Sequence, residues 1–146
     1  MAALTDSIRI RREHWDEMLA HVSQLVPEEA CGIAAGRDGI TTHVYLVENA
    51  LHSPVRFRMD AQQQVDAILE IEDQGQDLLA IFHSHPAGPP VPSPTDVESA
   101  TFPEAVNLIW SKPDGQWTCR GFLIQRNVIK EVTIQVEDLF HRTEKD

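Results

Sequence analysis

Two histidines separated by one residue, His83 and His85, stand at the end of the apolar run "DLLAIF" and are followed by a proline-rich stretch that reaches Ser93 and Asp96. Side chains alternate along a strand, so His83 and His85 point to one side while Ser84 points to the other. Two imidazoles so placed can bind one zinc ion. A closed structural site wants four protein ligands, whereas a catalytic site wants three and a water. Asp96 is the natural third ligand if the loop folds back over the strand end. Pro86, Pro89, Pro90, Pro92 and Pro94 stiffen that loop and reduce the entropy lost on fixing the ligand. Hydrolysis also needs a proton carrier. Glu28 and Glu29, just before the buried run "ACGIAAG", are candidates, with a solvated loop pair as the alternative. Ser93 with Asp96 also reads as a helix start: Ser as N-cap, Pro94 at the first position, Asp96 at the positive end of the dipole.

The elements that must position these groups follow from periodicity. Trp15, Met18, Leu19, Val22 and Leu25 recur at helical spacing from Arg12 to Leu25, and Pro27 stops the helix. "CGIAAG" and "THVYLVEN" read as strands joined by a turn at "RDG". "SPVRFRM" reads as another strand or extended edge. Asp60 caps a helix through Asp73, with Val65, Ile68, Leu69 and Glu72 sharing a face, and Gly75 ends it. "DLLAIF", "AVNLIW", "QWTCRGFLIQ" and "NVIKEVTIQV" complete the strands. Strands outnumber helices and several are hairpin-linked. The expected class is α+β, an α/β sandwich whose curved mixed β-sheet is flanked by helices. With 146 residues and no linker or repeat, residues 1–146 read as a single domain.

Hydrophobic residues make up 42% and charged residues 24% of the chain, an ordinary globular balance. A formal charge of −11 disfavours nucleic acid as a partner. No apolar stretch approaches a membrane span, and "MAALTDSIRIRREHW" becomes charged before any leader-like run develops. Cys31 and Cys119 do not make a disulfide framework; both read as buried small residues in a chain of the reducing cytoplasm. His14, His21, His43, His52 and His141 read as surface or core histidines.

The motif resembles that of the JAMM (MPN+) metalloprotease family: an upstream glutamate, then His-[Ser/Thr]-His, seven residues beginning with Pro, Ser, two residues and Asp. Here the pattern is His83-Ser84-His85, Pro86 through Pro92, Ser93 and Asp96, with Glu29-Ala30-Cys31-Gly32 upstream. "PEEACGIAAG", "ENALHSPVRFRMD" and "FHSHPAGPPVPSPTDVESA" extend the likeness to small prokaryotic members of the CysO-cysteine peptidase class. The resemblance implies the JAMM/MPN (cytidine deaminase-like) architecture, with one Zn2+ per chain held by His83, His85 and Asp96 and with water as fourth ligand. It implies Glu29, rather than Glu28, as general base and Ser93 as hydrogen-bond donor to the developing oxyanion. The implied activity is a zinc peptidase or isopeptidase cutting after the C-terminal Gly-Gly of a ubiquitin-like or sulfur-carrier protein, whose tail is the expected partner. Residues Val55 to Met59 and the loop from Ala87 to Pro92 are expected to line a groove for that tail. A non-catalytic scaffold of the same fold, a DNA-associated relative and a zinc amidase acting on small molecules are the competing readings; the leaving group and the oligomeric state are left open.

Overall fold

The computed structural model describes residues 7–138; His141 lies outside them. The chain runs β1 (Ser7–Arg11), α1 (Arg12–Gln24), β2 (Cys31–Arg37), β3 (Ile40–Val47), α2 (Ala61–Asp73), β4 (Asp77–His85), α3 (Pro94–Ser99), β5 (Val106–Ser111), β6 (Thr118–Gln125) and β7 (Val128–Glu137). The strands follow the order β1-β3-β2-β4-β5-β6-β7 and close into a barrel through β1. β1 runs parallel to β7 over five register pairs and pairs with β3 at the single register position Arg9↔Ile40. β4 and β5 are also parallel, while β2–β3, β2–β4, β5–β6 and β6–β7 are antiparallel. This is the expected α+β class with a mixed, curved sheet. No helix among the described residues is long and apolar enough to cross a membrane.

The two faces of β2 and β4 are covered by different helices, which is why both strands are nearly continuous in apolar residues. On one face Met18 and Val22 of α1 pack with Ile8, Ile10, Ala34, Ala80, Phe82, Leu108 and Trp110. On the other, Ala67 and Ile71 of α2 pack with Cys31, Ile33, Ala35 and Val47. Gly32 has a steric reason: a Cβ there would lie 2.3 Å from the Phe82 ring. The β2–β3 hairpin turns through Asp38 and Gly39, both at positive φ (57° and 82°), as a tight turn matching strand twist requires.

Three sequence readings are corrected. β1 was not expected; its signal is the alternation in "SIRIR", which buries Ile8 and Ile10. "SPVRFRM" forms no strand and contributes a single bridge, Asn49↔Met59. The Asn49 side chain accepts from the amide of Arg58 and donates to the carbonyl of Arg56, groups a strand partner would need. On α2 the buried face is Ala67 and Ile71 with Ile68 beside them, whereas Val65 and Leu69 are 49% and 57% exposed and Glu72 is exposed. The small Ala67 lets the helix settle with that stripe inward.

Candidate metal centre and active site

Parallel strands need a long crossover. The connection from β4 to β5 supplies it and carries the proline-rich loop and α3. β4 ends with His83, Ser84 and His85 all buried. The histidines lie on the α2 side, and the Phe57 ring stacks on His83 at 4.5 Å between centroids. Ser84 faces the other way. Its amide donates to the Ala30 carbonyl at 3.0 Å, but the Ala30 amide donates to Ser84 Oγ at 2.8 Å instead of to a strand carbonyl. The ladder therefore opens at Ala30, and Glu29 leaves the sheet.

The loop then bends onto His85. Gly88 donates its amide to the His85 carbonyl at 3.2 Å, and the Pro89 carbonyl lies 2.8 Å from His85 Nδ1. That contact puts the proton on Nδ1 and leaves Nε2 with a free lone pair. α3 begins with a full capping box: Ser93 Oγ accepts from the Asp96 amide at 3.0 Å, and the Ser93 amide donates to Asp96 Oδ2 at 2.8 Å. The box aims Asp96 Oδ2 at the histidines, 3.2 Å from His83 Nε2 and 3.1 Å from His85 Nε2; the two nitrogens are 3.0 Å apart.

These three atoms converge on one point. Three corners of a tetrahedron with bonds of about 2.0–2.1 Å are separated by about 3.3–3.4 Å. The protein's triangle is a few tenths of an ångström tighter, so a divalent ion fits with little movement. Glu29 is buried, and a carboxylate oxygen lies within 4.8 Å of a ring nitrogen of each histidine. Two carboxylates thus face the histidine pair, and Asp96 is the one in direct contact. Burial opposes ionisation of Asp96, but the two histidines and the Ser93 amide outweigh it and hold its carboxyl well below the usual carboxylate range. Burial pushes Glu29 up to about 7, with His85 opposing and Asp96 adding to the rise. His83 is lowered by burial against the pull of Asp96. Burial also works against charging His85, yet Asp96 and the Pro89 carbonyl prevail and raise it.

A cleft of about 350 Å³ opens beside the centre, lined among others by Leu51, Phe57, Met59, His83, Ser93 and Asp96. The whole run from Val55 to Met59 lines it, as expected, but the loop from Ala87 to Pro92 does not; residues Ser99 to Phe102 form the other wall. The Ala87–Pro92 loop is engaged instead in holding His85. His14 is buried against Thr41, His21 approaches the Cys31 carbonyl, His43 is exposed, and His52 bridges Glu28 and Glu48 at 3.2 and 3.1 Å. Glu28 is thereby occupied away from the centre. Both cysteines are unpaired, and burial raises both thiols, Cys31 to about 12.

No reading of the sequence singles out Asn49 or the Ser84–Ala30 pair, and Phe57 enters there only within the run from Val55 to Met59. Asn49 lies two residues beyond the end of β3, is 2% exposed, and offers no signal in the sequence beyond a polar residue following the apolar run.

Residues 11–120 match the model of the prokaryotic homologues of the JAB domain. The chain is 36% identical over 129 residues to a desampylase of Haloferax volcanii, covering 84% of this chain and 91% of that one. It is 32% identical over 135 residues to a CysO-cysteine peptidase of Mycobacterium tuberculosis, covering 90% and 92%. A solution structure of a Desulfitobacterium hafniense protein superposes with a TM-score of 0.80 at 36% identity, covering 90% of this chain and 93% of that one. With a family model spanning most of its length and a metal-binding geometry at the matching motif, the chain belongs to the prokaryotic JAB-domain family.

Proposed function

We propose that this protein is a zinc-dependent peptidase or isopeptidase that hydrolyses the amide bond after the C-terminal Gly-Gly of a ubiquitin-like or sulfur-carrier protein. The observation that carries this reading is the convergence of His83 Nε2, His85 Nε2 and Asp96 Oδ2, with the buried Glu29 carboxylate beside them. On the substrate side, support comes from similarity to a desampylase and a CysO-cysteine peptidase.

His83, His85 and Asp96 would hold the zinc ion. When bound, zinc supplies Lewis acidity, polarising a carbonyl and lowering the pKa of a water molecule. Glu29 serves as the proton carrier: its carboxylate takes the proton from the attacking water and returns it to the departing nitrogen. Burial raises its pKa above the ordinary carboxylate value, which favours return of the proton, and the positive charge of a bound ion would favour the carboxylate that accepts it. Ser93 uses its oxygen to cap α3, which leaves its hydroxyl hydrogen available to the oxyanion. The cleft along Val55–Met59 receives the extended tail, and glycines suit it because a chain without side chains approaches closely. The reading treats 1–146 as one domain, supported by β1 closing the barrel onto β7. It places the activity in the cytoplasm, supported by two unpaired cysteines.

The test is cleavage of a ubiquitin-like carrier bearing one extra C-terminal residue, by wild type and Glu29→Gln, with zinc measured in both. Cleavage by wild type alone, with one zinc per chain in each, supports the assignment. Zinc without turnover on any carrier leaves the centre standing and removes the substrate class. No zinc in either protein removes the enzyme and leaves a scaffold.

A further inference from the structure

Asn49 is 2% exposed and uses its whole hydrogen-bonding capacity. Its Nδ2 donates to the Glu29 carbonyl and to the Arg56 carbonyl, both at 3.0 Å. Its Oδ1 accepts from the amides of Leu51 at 3.0 Å and Arg58 at 3.1 Å. One planar amide thus ties the Glu29 main chain to both ends of the segment that walls the cleft. The same segment reaches back to Glu29 a second time, since the Ser53 carbonyl accepts the Glu29 amide at 2.8 Å. Both backbone groups of Glu29 are therefore satisfied by the 49–53 segment and not by strand pairing. Between the anchored residues Arg56 and Arg58 stands Phe57, whose ring lies on His83 with only 22° between planes.

The consequence is mechanical. Glu29 leaves the sheet at the point where Ser84 opens the ladder, so β4 no longer fixes its position. What fixes it is the 49–53 segment: the Ser53 carbonyl takes the Glu29 amide, and Asn49 donates to the Glu29 carbonyl while it also holds the cleft wall and the ring packed on His83. We infer that Asn49 is a positioning residue that couples the substrate-cleft wall to Glu29, so that the carboxylate and the bound tail are aligned by one side chain. This rests on the reading of Glu29 as proton carrier, but the coupling itself can be tested without turnover.

Asn49→Asp separates the two halves of the network. It keeps an oxygen for the Leu51 and Arg58 amides and loses the donors to Glu29 and Arg56. Gln63→Ala is the control: it removes the side-chain oxygen that accepts from the Glu48 amide, next to Asn49, at 2.8 Å, and leaves the Asn49 bonds and the Ser53 carbonyl in place. Amide hydrogen exchange and, on a carrier with one extra C-terminal residue, kcat and KM are measured on zinc-loaded protein. In Asn49→Asp the Glu29 amide is expected to lose at least about tenfold protection while the Arg58 amide and the β4 amides keep theirs. The accompanying kcat falls by about 10–100-fold, the range for outer-shell partners, with a smaller change in KM. Gln63→Ala leaves kcat within about threefold. Equal effects of the two variants on kcat, or unchanged protection at Glu29, overturn the inference. So does a fall of more than about 10 °C in the melting temperature of both Asn49→Asp and Asn49→Ser, which makes Asn49 a folding residue. Absence of turnover in wild type removes the proposed function, while the exchange experiment still decides the coupling.

Discussion

Ser84 and Ala30 exchange two hydrogen bonds, but only one is a backbone ladder bond. The Ser84 amide donates to the Ala30 carbonyl at 3.0 Å, and the Ala30 amide turns to Ser84 Oγ at 2.8 Å. The residue between the two histidines is thus not a spacer. It substitutes a side-chain oxygen for a main-chain one at the place where β2 begins, and so sets where Glu29 departs from the sheet.

Ser84→Ala should leave the Ala30 amide buried without its acceptor. An orphaned buried donor costs about 1–3 kcal/mol, enough to move a denaturation midpoint visibly. Because the histidines themselves are untouched, zinc stoichiometry should stay at one per chain while turnover falls with the displacement of Glu29. Urea unfolding and zinc analysis on the same preparation check this. Unchanged stability would mean that another group takes the amide.

Ser93 carries two assignments that a single alanine variant cannot separate. Ser93→Gly can, because glycine replaces an N-cap at a loss of only a few tenths of a kcal/mol. If the hydroxyl donates to the oxyanion, kcat should fall by about 10²–10³-fold, the range for one lost donor, while the melting temperature barely changes. A drop in stability with unchanged kcat would assign Ser93 to capping alone.

The centre was legible in the sequence because its geometry is local. A two-residue spacing on a strand puts His83 and His85 on one side, and a capping signature at Ser93 and Asp96 fixes the helix that brings the third group. The structure places all three within 3.2 Å of one another. What was not legible depends on tertiary partners. "SPVRFRM" alternates like a strand, yet the Asn49 side chain, encoded upstream, claims the backbone groups a strand would pair. Val65 and Leu69 look like core, yet the register of α2 on the sheet is set by the smaller Ala67. β1 is only five residues long and depends on β7, at the far end of the chain, for its pairing.

Asp96 approaches both imidazoles and also accepts from the Ser93 amide. Asp96→Asn keeps a similar shape and an oxygen for that amide, but removes the negative charge facing the two histidines. Zinc affinity should fall by at least about tenfold with α3 retained, and activity should return in part at high zinc. Competition with a chelator of known affinity measures the first effect, and circular dichroism reports on overall helix content. Wild-type affinity in this variant would remove Asp96 from the ligand set.

Two histidines outside the centre should make the protein acid-sensitive. His14 is buried in α1, with Nδ1 2.7 Å from Thr41 Oγ1, and burial lowers its pKa below 6.5; Glu13 opposes the shift, while Arg11 and His43 add to it. His21 is lowered by burial too, against the Cys31 and Val47 carbonyls. In both cases the unfolded chain takes up a proton first as pH falls. The unfolded state then binds more protons, so stability declines with falling pH from about 6.5 downward, and these two groups contribute no slope well above that value. Unfolding by urea, measured on chelator-treated wild type and His14→Gln at pH 7.5, 6.5 and 5.5, isolates one of them. Titration at His83, His85 and Glu29 is common to both proteins and cancels in the difference. The variant should lose less stability than wild type between pH 6.5 and 5.5 and behave alike above 7; parallel curves across the range would show that His14 keeps its ordinary pKa in the folded protein.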